Sequence, residues 1–218
     1  MDPLQLAELL CARICHDLSG PVGAAAAGAE LFEDMEDAPD PETLGLVAGA
    51  AAGAAGRLKF FRAALGPAAS APQASAALRD LIETYLATQV SAASPGIVLA
   101  WAEPPVALDG ATARLLLNLV LLAKDALPRG GRITVNLTDG RPRVIARGEP
   151  AALSDEARQV LMDGRTAAGP RGAQAQFAQI LASRLGGRLA AAVTAEGLAL
   201  TIISPPPPAD GGDVTSEG

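Results

Sequence analysis

The chain has 218 residues, of which 50% are hydrophobic, and a formal net charge of -7. This length fits one or two domains, and the apolar share is sufficient for a sizeable core. The acidic balance argues against nucleic acid as the main partner, because clustered Lys and Arg bind phosphate backbones. No signal-peptide pattern or long uncharged apolar run opens the sequence, so we expect a cytoplasmic protein without a membrane partner.

The N-terminal region, residues 1–67, predicts a helical hairpin. The first helix covers about residues 1–34, and a turn rich in prolines and acids follows it. Asp40 is placed as the N-cap of the second helix, Pro41 as its first residue, and Gly66 ends it. Because a lone hairpin cannot cover its apolar stripe, we predict a homodimer in which two copies form a four-helix bundle.

The second predicted helix contains four glycines, Gly45, Gly49, Gly53 and Gly56. Glycine costs roughly 1 kcal/mol against alanine in a helix interior. These glycines therefore indicate close helix contact, unless they only reflect an alanine- and glycine-rich composition.

The first predicted helix contains Cys11 and Cys15, four residues apart. They lack the further ligands of a zinc site, so we predict reduced, half-buried thiols and no metal.

His16, the only histidine of the chain, lies on the first predicted helix. Two helical steps of ~100° separate it from Ile14, so the imidazole emerges roughly 200° from the apolar stripe and should face water. That stripe consists of Leu6, Leu10, Ile14 and Leu18.

The helical neighbours of His16 carry groups that suit a nucleophile. Asp17 is placed to hold Nδ1 and to leave Nε2 as the free lone pair. Arg13 supplies a cation for a phosphoryl oxygen, although an exposed arginine is more often simply solvated. Ser19 and Gly20 are small and leave the ring accessible to another protein. The residues alone leave open a surface histidine that only helps solubility.

A linker of Ala, Ser and Pro over residues 68–73 leads into a second region, residues 73–204. Its mixed order of elements predicts a sheet with helices on one face, so the whole chain is expected to be α+β. The proline-rich tail, residues 205–218, is expected to be disordered. Helices are predicted over 75–92, 109–127, 153–162 and 173–185, and strands over 97–101, 132–137, 143–146, 188–194 and 198–203.

Residues 16–22, His-Asp-Leu-Ser-Gly-Pro-Val, resemble the H-box of two-component histidine kinases, His-acid-Leu-x-x-Pro-apolar. In that family the motif lies on the first helix of the dimerising phosphotransfer hairpin. The histidine there carries a phosphoryl group as a phosphoramidate. The resemblance implies the same role for His16.

The second region resembles the ATP-binding domain of histidine kinases, an α/β sandwich, without its nucleotide-binding residues. The second asparagine of the family's N-box, Asn-Leu-x-x-Asn-Ala, coordinates the magnesium of ATP, whereas the stretch that begins here at Asn118 has Leu122 at that place. Leucine has no oxygen for a hard cation. Residues 147–150 replace the Asp-x-Gly-x-Gly loop, and residues 169–172 are all that is left of the later glycine-rich box. We therefore expect no ATP binding and no cofactor.

The hairpin and the degenerate domain together resemble the ChpT-type histidine phosphotransferases, over about residues 5–204. The resemblance includes residues 57–62 near the end of the second helix and residues 115–131. Members of that family are dimers that relay phosphoryl groups from the receiver domain of a hybrid kinase to response regulators controlling the cell cycle.

This resemblance implies that His16 is the nucleophile and Asp17 its orienting acid, with Arg13, Ser19 and Gly20 as contacts to the phosphoryl group or the receiver. Magnesium is then expected in the acidic pocket of the receiver and not on this chain. Three other functions stay open: an active sensor kinase, a docking protein that binds receivers without accepting phosphate, and a dimerising structural module.

Overall fold

The two N-terminal helices form a hairpin in the computed structural model, and a mixed region of helices and strands follows them. The predicted α+β class is therefore confirmed. The acidic turn around residues 34–38, the turn at residues 139–140 and the tail from residue 204 onward lie outside the described residues. The structure describes residues 1–33, 39–90, 96–101, 107–138 and 141–203.

The hairpin consists of α1 (Pro3–Glu33) and α2 (Pro41–Leu65), close to the predicted limits. The predicted N-cap is confirmed, because Asp40 Oδ1 accepts hydrogen bonds from the main-chain amides of Glu42 and Thr43, each at 2.9 Å. Such bonds satisfy amides that have no partner within the first helical turn. The local sequence thus sets the start of α2.

Close approach between the two helices occurs at Gly28 of α1, where an added Cβ would collide with the Val47 side chain of α2. At Gly56 of α2 an added Cβ would meet the Thr88 methyl at 3.3 Å. The predicted close contact at the other α2 glycines is not made within one chain. An added Cβ would meet no neighbouring atom within 4 Å in the described residues at Gly45, Gly49 and Gly53.

Most of the α2 surface is not covered by other described residues. Its buried residues gather near its C-terminal end, from Gly56 to Ala64. By length and composition alone, α2 is apolar enough to cross a bilayer, but a single helix of this kind is weak evidence for a membrane protein. Exposed apolar surface of this kind is typical of an interaction site.

The second region pairs its strands in two sheets. The strands are β1 (Gln73–Ala74), β2 (Ile97–Trp101), β3 (Ala107–Leu108), β4 (Gly131–Thr138), β5 (Arg141–Arg147), β6 (Arg188–Thr194) and β7 (Gly197–Ile203). β1 and β3 form an antiparallel pair, and the larger sheet has the strand order β2-β4-β5-β7-β6, with β2 and β4 parallel and the other pairs antiparallel. The helices are α3 (Ser75–Ala87), α4 (Gly110–Asp125), α5 (Asp155–Leu161) and α6 (Pro170–Arg184).

One face of the larger sheet packs against helices, as predicted. Ile133 and Val135 of β4 and Val144 of β5 are fully buried, while Arg132 and Thr134 alternate with them toward the other face. The centre of the core is α4, which contacts β5, α6 and α2. Its residues from Leu115 to Ala123 are all buried.

Several predicted limits differ from the structure. The helix expected over residues 75–92 ends at Ala87, where the Thr88 hydroxyl donates to the Tyr85 carbonyl and the Thr88 carbonyl accepts from Arg57 of α2. The helix expected over residues 173–185 begins at Pro170, with Gly169 as its N-cap. The expected linker over residues 68–73 reaches into β1, which pairs with a strand far along the chain.

Side chains of α4 cap the C-terminal end of α2. Arg114 Nη2 donates to the Leu65 carbonyl at 3.0 Å, and Asn118 Nδ2 donates to the Ala64 carbonyl at 2.7 Å. The last carbonyls of a helix have no partner within the helix, so these bonds satisfy them. Gln174 of α6 completes this contact by donating to Asn118 Oδ1 at 2.5 Å. The second region is therefore fixed to the end of the hairpin.

An aromatic cluster fills the same end of the hairpin. Phe60 stacks on Tyr85 of α3 with 4.0 Å between the ring centroids, and Phe61 meets the same ring edge-on at 5.9 Å. All three side chains are buried, so the two phenylalanines pack the end of the hairpin against α3.

Candidate functional site

His16 projects from α1 into solvent, as the helical spacing predicts. Its side chain is 88% exposed, and Nδ1 lies 3.1 Å from Asp17 Oδ1. An ionised carboxylate can only accept, so this contact favours a proton on Nδ1. Nε2 then carries the free lone pair and faces outward, which is the arrangement that a nucleophilic imidazole needs.

Arg13 lies below His16 and is not exposed, contrary to the prediction. Only 5% of its side chain is accessible, and Nη2 forms an ion pair with Asp125 Oδ2 at 2.7 Å. Its Nε lies 3.9 Å from Asp17 Oδ2, and Lys124 Nζ contacts Asp125 Oδ1 at 3.0 Å. The charge of Arg13 is therefore paired with two carboxylates of this chain, those of Asp125 and Asp17.

The charges of this cluster stabilise one another despite their burial. Burial raises the pKa of Asp125, but attraction by Arg13 and Lys124 outweighs it and holds this pKa below its usual value. Burial likewise lowers the pKa values of Arg13 and Lys124, but attraction by Asp125 and Tyr85, and by Asp17 in the case of Arg13, outweighs it and raises both. All three groups are thus charged at neutral pH.

Ser19 and Gly20 continue the exposed face of α1 one turn beyond His16. The Ser19 hydroxyl donates to the Cys15 carbonyl at 2.6 Å, so it is held against its own helix. An added Cβ at Gly20 would meet no atom within 4 Å. Both residues leave the space beside the imidazole open.

A cleft of about 560 Å³ opens between α1 and the second region, beside His16. Sequence reasoning did not predict that Lys124 and Arg171, from α4 and α6, would line it. Acids line the cleft as well, and Lys124 is paired with Asp125, so charges of both signs lie beside the histidine. The full lining consists of Ala12, Arg13, His16, Asp17, Lys124, Asp125, Glu156, Pro170 and Arg171.

Arg57 is a second residue that the sequence reasoning missed. Its Nη1 donates to the Asp17 carbonyl at 2.7 Å, and its Nε donates to Thr88 Oγ1 at 3.2 Å. Pro21 gives a signal for the first contact, because it has no amide to satisfy the carbonyl four residues earlier. The proline predicts that a donor is needed, but only the fold identifies Arg57 as that donor.

The two cysteines of α1 do not have the predicted environment. Cys11 and Cys15 are free and exposed, where half-buried thiols were expected, because none of the described helices and strands covers this face of α1. Within the described residues, no group of three or more His, Cys, Asp or Glu side chains is placed to hold a metal ion.

The positions that correspond to the kinase N-box are part of the hydrophobic core. Asn118 is fully buried and bonds to main-chain carbonyls and to Gln174, while Leu122 is 2% exposed. Asn118 is the first asparagine of the motif, and its role here is to join α4 to α2 and α6. The polar atoms of the Asn118 side chain thus form hydrogen bonds that hold these helices together.

Known proteins resemble this chain in sequence and in fold. Residues 76–197 match the family of the histidine phosphotransferase C-terminal domain. The protein phosphotransferase ChpT of Brucella abortus (strain 2308) is 35% identical over 149 residues, which are 66% of this chain and 68% of ChpT. The chain belongs to the histidine phosphotransferase family. Its activity is accordingly the transfer of phosphoryl groups in a phosphorelay.

The fold of one solved structure agrees with this membership. The structure of a bacterial phosphotransferase covers 93% of this histidine phosphotransferase and 98% of its own chain, with a TM-score of 0.75 and 26% identity. The Acinetobacter baumannii histidine kinase AdeS covers 86% and 95%, with a TM-score of 0.44 and 13% identity. The family match begins in α3, so it does not include His16.

Proposed function

We propose that His16 carries the phosphoryl group of this histidine phosphotransferase. One observation supports this assignment: the chemistry of the family requires a histidine, and His16 is the only histidine among the 218 residues. Its 88% exposed side chain and its Nδ1 contact to Asp17 suit an imidazole that reacts with a partner protein.

The proposed donor is the aspartyl phosphate of a receiver domain, with magnesium in that receiver's own acidic pocket. Nε2 attacks phosphorus in line, the bond from phosphorus to the aspartyl oxygen breaks, and the receiver keeps a free carboxylate. The Nδ1 proton stays in its hydrogen bond to Asp17, which stabilises the charged ring. The reverse step delivers the group to a second receiver. Such a transfer depends mainly on positioning and charge stabilisation.

The receiver is proposed to dock over α1, with Ser19 and Gly20 as its contact floor. Arg171 lies exposed at the side of the cleft, and its positive charge would face the phosphoryl oxygens and the acidic pocket of the receiver, while Lys124 beside it is paired with Asp125. A direct phosphate contact by Arg13 stays a prediction, and its buried ion pair with Asp125 favours support of the site from below. The partners would be the receiver domain of a hybrid histidine kinase and response regulators.

The functional unit is proposed to be a homodimer in the cytoplasm. Large apolar side chains remain exposed on both helices of the hairpin, and a second copy packed as a four-helix bundle would cover them. It would also cover the open glycine positions of α2. The exposed side chains are Leu4, Val22 and Leu31 of α1 and Leu44, Leu46 and Leu58 of α2.

Phosphotransfer from a labelled receiver, without ATP, tests the assignment of His16. We expect acid-labile label on the natural chain and on Cys15→Ala, whose side chain is an exposed neighbour, and none on His16→Ala. Label on His16→Ala would overturn the assignment. If the natural chain binds the receiver but acquires no label, the docking-protein function replaces the relay.

A further inference from the structure

A series of charged groups runs from the core of the second region to His16. Asp125, at the C-terminal end of α4, pairs with Arg13 at 2.7 Å, and Arg13 Nε faces Asp17 at 3.9 Å. Asp17 in turn contacts His16 Nδ1 at 3.1 Å. The series thus joins Asp125 of α4 to the reactive ring on α1.

Exposure changes steeply along this series. The side chains of Arg13 and Asp125 are 5% and 12% exposed, that of Asp17 is 21% exposed, and that of His16 is 88% exposed. Buried charges are held in one geometry by their partners, since moving away would leave a charge unpaired in a dry environment. The exposed end of the series is therefore anchored by its buried end.

The main chain of Asp17 has an anchor of its own. Arg57 Nη1 donates to the Asp17 carbonyl at 2.7 Å. This bond fixes the helix at Asp17 but leaves the carboxylate free to rotate about its side-chain torsions. Arg13 and His16 pair with that carboxylate, and the buried Tyr85 phenol also interacts with it electrostatically. Arg13 Nε makes no hydrogen bond within the described residues, so Arg13 orients the carboxylate by the attraction of its charge at 3.9 Å.

We propose that Asp125 is a positioning residue for phosphotransfer. It holds Arg13, Arg13 holds the Asp17 carboxylate against Nδ1, and the ring keeps its proton on Nδ1 and its lone pair on Nε2. This role rests on the proposed function of His16. It gives the degenerate ATPase-like region a part in the reaction, because its α4 helix supplies the fixed end of the series.

The single histidine makes the first test direct. In tag-free, unphosphorylated protein, long-range nitrogen–proton NMR correlations report which ring nitrogen of His16 carries the proton. We expect Nδ1–H in the natural chain and a shift toward Nε2–H in Asp125→Asn. Asp155→Asn is the matched control, because Asp155 is 89% exposed and its partner is Arg158 at 3.5 Å. An unchanged tautomer in Asp125→Asn would overturn the proposal.

The second readout is the transfer rate at a saturating receiver concentration. Removing a group that orients a histidine through its partner is expected to slow transfer roughly tenfold, as the loss of supporting groups does at metal-bound histidines. The concentration of receiver that gives half the maximal rate should not change. A full transfer rate in Asp125→Asn would contradict the proposal.

A double variant separates positioning from folding. Arg13→Met with Asp125→Leu replaces the buried ion pair with apolar side chains, an exchange that is often neutral for stability, and the long Lys124 side chain, already 20% exposed, can then turn its ammonium to water. We expect this protein to melt like the natural chain, to lose the Nδ1–H preference and to transfer slowly. If the ion pair between Arg13 and Asp125 served only the fold, the double variant would transfer the phosphoryl group at the rate of the natural chain. The tautomer is measured without any receiver, so it tests Asp125 even if His16→Ala were to retain label and the proposed function failed.

Discussion

Arg57 Nη1 donates to the main-chain oxygen of Asp17 at 2.7 Å, across the hairpin and one turn before Pro21. In an unbroken helix that carbonyl accepts from the amide four residues later, but residue 21 has no amide hydrogen. The arginine replaces the missing donor. It does so at the residue whose side chain contacts His16.

Arg57→Ala should therefore destabilise the protein by about 1–3 kcal/mol, the cost of a buried polar group without its partner. Chemical denaturation measures this change. Arg79→Ala is the control, because Arg79 forms an exposed pair with Glu83 on α3, and such pairs contribute at most about 1 kcal/mol.

Pro21→Ala tests the reason for that loss. Alanine restores an amide that can donate to the Asp17 carbonyl, so Arg57→Ala should cost clearly less in the Pro21→Ala background. Equal costs in both backgrounds would show that Arg57 stabilises the protein by its contacts to Thr88 alone.

Substitutions at Gly20 test the docking floor. A Cβ at this position meets no atom within 4 Å, so Gly20→Ala should fold well and gain up to roughly 1 kcal/mol of helix stability. Gly20→Leu should also fold but should obstruct a receiver on α1, raising the receiver concentration needed for half-maximal transfer. If both variants transfer like the natural chain, the receiver does not use this surface.

Leu46→Glu tests the four-helix bundle. Leu46 is 70% exposed in one chain, and a charge there would be buried unpaired in the proposed dimer. Light scattering after size exclusion should give the mass of a dimer for the natural chain and of a monomer for this variant. Val193→Glu is the control, because Val193 is 80% exposed on β6, outside the hairpin. A monomeric natural chain at micromolar concentration would contradict the bundle.

Acid should weaken the fold partly through Asp125. Arg13 and Lys124 outweigh burial and lower its pKa, so its stabilising contribution is complete above the pKa of an unfolded carboxyl, about 4. The contribution is lost as the pH falls through the folded-state pKa. Urea titrations from about pH 7 to about pH 3 should show a steeper loss of stability for the natural chain than for Asp125→Asn. Parallel curves would mean that Asp125 has an ordinary pKa.

Magnesium-ATP should not stabilise this protein, because the N-box position that needs an oxygen ligand is the buried Leu122. A ligand at a hundredfold excess over its Kd stabilises its protein by roughly 2.7 kcal/mol. Thermal melts with and without magnesium-ATP measure this directly, with a histidine kinase domain that binds ATP as the positive control. A clear rise in Tm would favour the sensor kinase instead.

The sequence determined the elements whose signals are local. Asp40 and Asp109 bond to amides two and three residues later, so each marks the start of its helix without help from the rest of the chain. The four-residue stripe of α1 likewise predicted that His16 faces water, because the direction of a side chain on a helix follows from residue spacing alone.

Only the tertiary structure decided what surrounds the histidine. The partners of Arg13 and Asp17, namely Asp125 and Arg57, come from distant helices, and no local spacing encodes such pairs. The bond that Arg57 donates to the Thr88 carbonyl, at the end of the helix over residues 75–87, is another such contact. Short-range hydrogen bonds and periodicity can be read along the chain, whereas buried ion pairs and cross-helix caps depend on how the folded helices pack.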